Sequence, residues 1–243
     1  MANKKLRFQF IVICMSLFVG IIKVNSQTKK EVSLYNFFDE SVGRENLNVN
    51  NGPLYIDFYN TKKDDNCFLI SKSFEKGDVS YDGQPYYDLN INYDIFKDNL
   101  IFETINGKTK TLITLISDKI DSFVFMGKEF DNLKVQNQKI PDFINGFYEN
   151  SFSGKNLSLY IKYKKIKREI IDDKVYIEFD MKNNFIVKQN STFYQIDSKN
   201  DFVKLFPEFK KDINVYYDSN YRLEKTNKIS FMEGLLRLID KLK

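Results

Sequence analysis

From Asp78 to Ile116 the chain alternates apolar and polar residues in short runs separated by turn residues, which predicts four antiparallel strands. The clearest run is Tyr87 to Ile95. There Tyr87, Leu89, Ile91, Tyr93 and Ile95 alternate with Asp88, Asn90, Asn92 and Asp94. A period of two buries one face and wets the other. Turns are expected at Asp82-Gly83, at Lys97-Asp98-Asn99 and at Asn106-Gly107. Asn-Gly suits a two-residue hairpin turn, because both central residues then need positive φ. That turn would set Ile105 opposite Lys108, Glu103 opposite Lys110 and Ile101 opposite Leu112. The opposite charges at 103 and 110 agree with that register.

Around this meander the pattern gives further strands. Before it, Leu54–Tyr59 and Cys67–Lys72 read as strands flanking the charged loop TKKDDN, and 32–38 fits either a short helix or an edge strand. After it, strands are expected at Ser122–Met126, with a turn at Gly127, and at Asn132–Val135. A hairpin is expected across Ser153-Gly154, with one long arm from Asn156 to Arg168. Val175–Phe179 and Phe185–Ile196 complete the set, with turns at Asn183-Asn184 and Asn190-Ser191.

At Ser198 the period changes to that of a helix. Ser198 and Asp201 have capping-box spacing. Phe202, Leu205, Phe206, Phe209, Ile213, Tyr216 and Tyr217 follow at helical intervals, interrupted by Pro207, which should end one helix and begin the next. A second capping box, Ser230 to Glu233, is expected to open a last helix with Phe231, Leu235, Leu238, Ile239 and Leu242 on its apolar face. The fold class expected is α+β, predominantly antiparallel β: a meandering, curved sheet or half-barrel with two or three C-terminal helices.

The first 26 residues have another character. Lys4, Lys5 and Arg7 precede an apolar run from Phe8 to Ile22, and Val24-Asn25-Ser26 suits a cleavage site. This is the layout of a signal peptide, and the run is shorter than the ~20 residues a spanning helix needs. A retained N-terminal anchor is the alternative. Acylation at Cys14 is disfavoured by the bulky Ile11 and Ile13 before it. Three segments follow: 1–26 as signal peptide, 27–197 as the antiparallel β body, and 198–243 as a helical segment packed on the same domain. Removing Lys4, Lys5, Arg7 and Lys23 reduces 37 basic residues to 33, against 33 acidic ones. The mature chain is then formally neutral and carries no nucleic-acid footprint.

Composition restricts the chemistry. With no histidine, Ser-His-Asp and Cys-His catalysis and imidazole-based metal sites are excluded. Cys67 is the single cysteine left after the signal, so no intrachain disulfide forms in the mature chain; it reads as a small buried apolar residue. Ser73-Phe74-Glu75-Lys76 matches S-x-x-K, but it lies between an expected strand and Gly77, and no K-T-G or S-D-N partner is present. Gly146, Gly154 and Lys155 lack phosphate-loop spacing. Asn48–Gly52 and Asp64-Asp65-Asn66 lack the spacing of a calcium loop. Asp88, Asn90, Asn92 and Asp94 read as a solvated strand face. Lys162, Lys164 and Arg168 form either a basic strip for an anionic surface or lysine protection of an edge strand. The sequence assigns no catalytic, cofactor-binding or metal-ligating residue and no cofactor; a hydrolase built on carboxylates alone stays open.

The runs YDGQPYYDLNINYDIFKDNLI, GFYENSFSGKNLSLYIKYK and DFVKLFPEFKKDI resemble a group of uncharacterised exported proteins of Gram-negative bacteria. The resemblance covers most of the mature chain. It implies export and a β-rich body, and no functional residue follows from it. The expected function is that of an exported structural or interaction module, periplasmic or outer-membrane-associated/extracellular, with an envelope partner. The alternative is a periplasmic carrier of an apolar ligand, of lipid or lipoprotein type. A membrane barrel is disfavoured by the polar, Lys-ended C-terminal helix.

Overall fold

The computed structural model describes residues 29–62, 65–106, 109–136 and 140–243. The expected signal peptide, 1–26, lies outside the described residues. By internal contacts the chain divides into two units, one up to Leu47 and one from Asn48 to Lys243. Within the first, helix α1 spans 29–42, and a 3₁₀ turn follows at Arg44–Asn46.

The second unit is an α+β domain with an open antiparallel sheet. Its strands are β1 (Glu75–Tyr81), β2 (Gln84–Asp94), β3 (Asn99–Asn106), β4 (Thr109–Thr114), β5 (Ile120–Phe125), β6 (Lys128–Asn132), β7 (Phe147–Ser153), β8 (Leu157–Lys162), β9 (Lys165–Ile171), β10 (Val175–Met181), β11 (Asn184–Gln189) and β12 (Thr192–Ile196). Ten of them form one sheet in the order β12-β11-β8-β7-β6-β5-β1-β2-β3-β4. The expected four-strand meander is therefore present, and β5 returns to the free side of β1. Strands β9 and β10 form a separate hairpin between β8 and β11, pinched at its base where Lys182 N–H donates to Lys164 O at 2.7 Å. Asp82 and Gly83 have φ of 55° and 73°, as the tight turn between β1 and β2 requires.

One rung crosses eight strands: Tyr86, Val79, Phe123, Phe130, Glu149, Ile161, Phe185 and Ile196 are successive cross-strand partners, all buried. This face is concave. Tyr93 on β2 packs its ring 5.9 Å from that of Phe147 on β7, four strands away. In a flat sheet those strands would lie about 19 Å apart, at about 4.8 Å per step. Register shifts at Gly77/Val79, Ser80/Tyr81 and Asn150/Phe152 supply bends of the kind that curl a sheet. The hollow is filled. Tyr93 meets Phe123 and Phe130 edge-on, and those two stack at 4.7 Å.

The C-terminal helices complete the domain: α3 (Lys199–Leu205), α4 (Lys210–Ser219), α5 (Tyr221–Thr226) and α6 (Lys228–Leu242). The Asp201 carboxylate accepts from the Ser198 N–H at 2.9 Å, so the expected cap forms. Pro207 opens a 3₁₀ turn between α3 and α4, as expected. The second expected cap is displaced. Asn227 caps α6 by accepting from Ser230 N–H at 3.1 Å, so the helix begins three residues earlier than the Ser-x-x-Glu signal predicts. Helix α6 buries Phe231, Met232, Leu235, Leu236 and Ile239; Leu242 is exposed. It is tied to the turn before β8 by Asp240, which accepts from the N–H groups of Lys155, Asn156 and Leu157 at 2.7–3.1 Å.

Six strand expectations are corrected. Leu54–Tyr59 and Cys67–Lys72 pair only through isolated bridges, Leu54 to Ile113 and Phe68 to Asp94. Asn132 ends β6, and Leu133–Gln136 is a short helix, α2. The arm expected from Asn156 to Arg168 breaks at Tyr163-Lys164 into β8 and β9. The alternation in β2 has a fault: Asp88, at φ 56°, sits in a bulge opposite Asp78, so Tyr86 rather than Tyr87 points inward with Leu89 and Ile91. The bulge is stabilised locally, because Asp78 Oδ1 accepts from Asp88 N–H at 3.0 Å. Finally, Gly107 of the expected turn lies outside the described residues, but the flanking strands set the register. Asn106 pairs with Thr109, so Ile105 opposes Lys110 and Ile101 opposes Thr114, a slip of two positions. An even slip keeps every side chain on its expected face, and Lys110 still reaches Glu103 at 3.1 Å.

Candidate functional site

The outer face of the sheet carries two apolar clusters. At the β7-β8-β11 end, Tyr148, Tyr160 and Ile186 pack with Leu133 of α2, Ile144 and Phe193. At the β2-β3 end, Ile101 packs with Tyr55, Cys67 and Phe68 of the irregular segment and with Ile177 and Phe179 of the β9-β10 hairpin. Between these covers a cleft of about 280 Å³ runs over β1, β2, β5 and β6, bordered by Asp78, Ser80, Tyr87, Glu129 and Asp131.

The segment that covers β3 and β4 has two sides of opposite character. Gly52 lets it approach, since a Cβ there would collide with Thr114 O. Thr114 N–H donates to Pro53 O at 2.8 Å and Tyr55 N–H to Leu112 O at 2.9 Å. The inward residues are then held by side chains. Tyr55 donates its hydroxyl to Asp94 Oδ2 at 3.0 Å and lies 3.5 Å from the Cys67 sulfur. Tyr59 sits edge-on to Phe96 and Phe179, with centroids 5.6 and 5.2 Å away. Lys97 lies over both tyrosine rings, at 5.2 and 5.3 Å. The outward residues are apolar and exposed: Leu54 by 67%, Ile56 by 53% and Phe58 by 75%. Tyr55 and Tyr59 therefore face in, while Leu54, Ile56 and Phe58, and Asp57 with them, are exposed.

Several sequence candidates become structural. Asp94 is fully buried; besides Tyr55 it accepts from the N–H groups of Phe96 and Lys97, both at 3.0 Å. Asn92 is buried and donates to Ser71 O at 2.9 Å. The solvated face expected along Asp88–Asp94 is thus overturned at its second half, where these two groups receive the covering segment. Cys67 is buried, as expected, and burial pushes its thiol up to about 12, so it stays protonated and inert at neutral pH. Ser73 and Lys76 form no dyad: Lys76 donates to Asp88 O at 2.8 Å.

The basic strip does not exist. Lys162 is buried and paired to Asp98, Lys164 is exposed, and Arg168 pairs with Glu178 and Asp180 inside the hairpin. Burial lowers the Lys162 pKa. Asp98 also accepts from the Tyr93 hydroxyl at 2.5 Å, and Lys162 donates to Asn145 O at 3.0 Å. This network clasps the β2-β3 turn to the start of β7. Gly146, at φ 66°, is required there, because a Cβ would strike Asp98 Oδ2.

A second internal network lies in the concave rung. Glu149 accepts from Lys128 Nζ at 2.8 Å and from the Tyr163 hydroxyl, and nearby Ser151 donates to Glu233 of α6. These groups pair with one another, and the Tyr163 ring lies against that of Phe130. Among the described residues no group of three or more Cys, Asp and Glu side chains is arranged to hold a metal ion, and no helix is long and apolar enough to cross a membrane. Comparison with known protein families, curated proteins and solved structures returns no match. Among the exposed apolar side chains of the second unit, Leu54, Ile56 and Phe58 stand at every second position of one segment.

Proposed function

We propose that this chain is an exported, envelope-associated interaction module that engages a partner through the strip formed by Leu54, Ile56 and Phe58. One observation carries the reading. Three large apolar side chains, each more than half exposed, stand in line on a segment whose other side is anchored by Tyr55 and Tyr59. Apolar surface presented in line on a rigid base is what protein interfaces use. Export rests on the layout of residues 1–26 and on the resemblance to exported proteins. The carrier alternative would need an open apolar hollow. The concave face instead holds Tyr93, Phe123, Phe130 and Phe147 in mutual ring contact, which weighs for the interaction module.

The test is a photo-crosslinking phenylalanine analogue placed at position 58 in the full chain expressed in a Gram-negative host, followed by envelope fractionation. A discrete adduct in the envelope fraction, missing when the analogue stands at exposed Tyr194 instead, is the expected result. A chain retained in the cytoplasm, or an envelope fraction without any adduct at position 58, overturns the proposal.

A further inference from the structure

The interaction reading leaves the partner's form open, and the backbone of the same segment narrows it. In an extended chain the N–H and C=O of alternate residues point to opposite edges. Pro53 and Tyr55 spend theirs on β4, through Thr114 N–H and Leu112 O. Leu54, Ile56 and Phe58 therefore present theirs to the other edge. Among the described residues that edge is occupied further on, where Asn60 O accepts from Ile177 N–H at 2.9 Å and Asn60 Nδ2 donates to Val175 O at 3.1 Å. Between those two anchor points the chain runs from Tyr55 to Asn60 without a backbone-bonded turn or a bend, and Asp57 Oδ1 accepts from Tyr59 N–H at 3.1 Å. Among the described residues, the backbone N–H groups of Leu54, Ile56 and Phe58 donate to no protein acceptor.

This is a short free strand edge with apolar side chains on its exposed face. It lacks the usual protection, since no lysine or proline lies between Tyr55 and Asn60. The single charge on it, Asp57, is neutralised by Lys72 at 3.1 Å. Resting on the interaction reading above, we infer that the partner docks here as an extended polypeptide strand added beside Leu54–Phe58, its apolar residues at every second position. A second copy of this chain is the poorer occupant. The exposed parts of Leu54, Ile56 and Phe58 amount to on the order of 400 Å², about half the ~800 Å² per partner of a stable protein interface. An added strand supplements so small an apolar area with main-chain hydrogen bonds, which side-chain contact alone does not supply.

The experiment is selection of linear ten-residue peptides from a random phage-displayed library on the intact protein, with affinities of synthetic winners measured by calorimetry. Enriched sequences should show apolar residues at every second position. Methylation of peptide backbone nitrogens should abolish binding at one set of alternate residues and leave it within twofold at the other. Phe58→Asp should weaken binding at least tenfold, with thermal unfolding unchanged because the side chain is exposed. Tight peptides indifferent to N-methylation, or bound equally by Phe58→Asp, would overturn strand addition while leaving an interaction module standing. A library without enrichment, together with no crosslink at position 58, would overturn both.

Discussion

The ammonium of Lys162 stands 2.5 Å from Oδ2 of Asp98, joining the last residue of β8 to the turn between β2 and β3. Those elements are remote in the sheet order, and the pair holds its curl closed. Lys162 is nearly buried and Asp98 partly exposed. Removing one partner strands the other, a loss of about 3 kcal/mol, at the low end for breaking a buried pair. Asp98→Asn should lower the urea midpoint accordingly. The double variant Asp98→Asn/Lys162→Met should recover more than half of the loss. A single variant as stable as the parent would show that the clasp contributes nothing.

Phe130 lies at the centre of the concave rung, stacked on Phe123 and edge-on to Tyr93. Phe130→Ala should cost about 3–5 kcal/mol, the range for emptying a buried aromatic position. Phe130→Leu should cost less than half as much. Calorimetric melting of the two variants separates a packed hollow from one able to collapse.

Alkali should unfold the protein. Burial pushes the Cys67 thiol from 9.0 up to about 12 and the Tyr160 phenol from 10.0 up to about 12. The folded chain keeps both protons at pH values where the unfolded chain has released them. This stability is complete below pH 9 for the thiol and below pH 10 for the phenol, and it is lost as pH climbs toward 12. Lys162, lowered by burial, acts oppositely over the window below its ordinary 10.5, but it is a single group. The urea midpoint should therefore fall from pH 9 upward, and the phenolate absorbance of the buried Tyr160 at 295 nm should be added only on unfolding. In Cys67→Ala the fall should begin near pH 10.

At the other end of the scale Asp240 reports the docking of α6. Burial pushes its carboxyl up, but the N–H groups of Asn156, Lys155 and Leu157 outweigh it and hold the pKa below its usual value. The contact is fully present above the ordinary carboxylate pKa and is lost as pH falls through the lowered one. Asp240→Ala should cost about 1.5–3 kcal/mol, the range for hydrogen bonds to a charged group. Amide exchange at Leu157 should rise in the variant. Unchanged exchange there would mean that α6 is held by its apolar face alone.

The β1–β4 meander was legible because Asp82-Gly83 and the alternation along the strands are local signals. The faults in the reading came from non-local partners. Asp88 fits the period-two pattern, and only the Asp78 carboxylate across the strand reveals the bulge. Asn92 and Asp94 look like a wet face until Ser71 and Tyr55, 21 and 39 residues earlier, arrive to cover them. Lys162 looks like a surface lysine because Asp98, its partner, is 64 residues away. Leu54–Tyr59 has the pattern of a strand and the outline of one, but its even positions face solvent, and hydropathy alone cannot say which side of an alternating run is the inside. The caps show the same division. Ser198-Asp201 works as spaced, whereas at α6 an earlier asparagine displaces an equally good motif.

The pinch between Lys182 and Lys164 has an evolutionary consequence. Because the two ends of the β9-β10 excursion meet, and β8 and β11 are already neighbours in the sheet, the hairpin can lengthen, shorten or be exchanged without altering any other strand's neighbours. Its tip, at Ile171 and Val175, lies beside Asn60, next to the free edge. Diversity in that one loop would reshape the rim of the docking surface while the curled sheet beneath stays the same, so relatives of this chain should differ in length there before anywhere else in the domain.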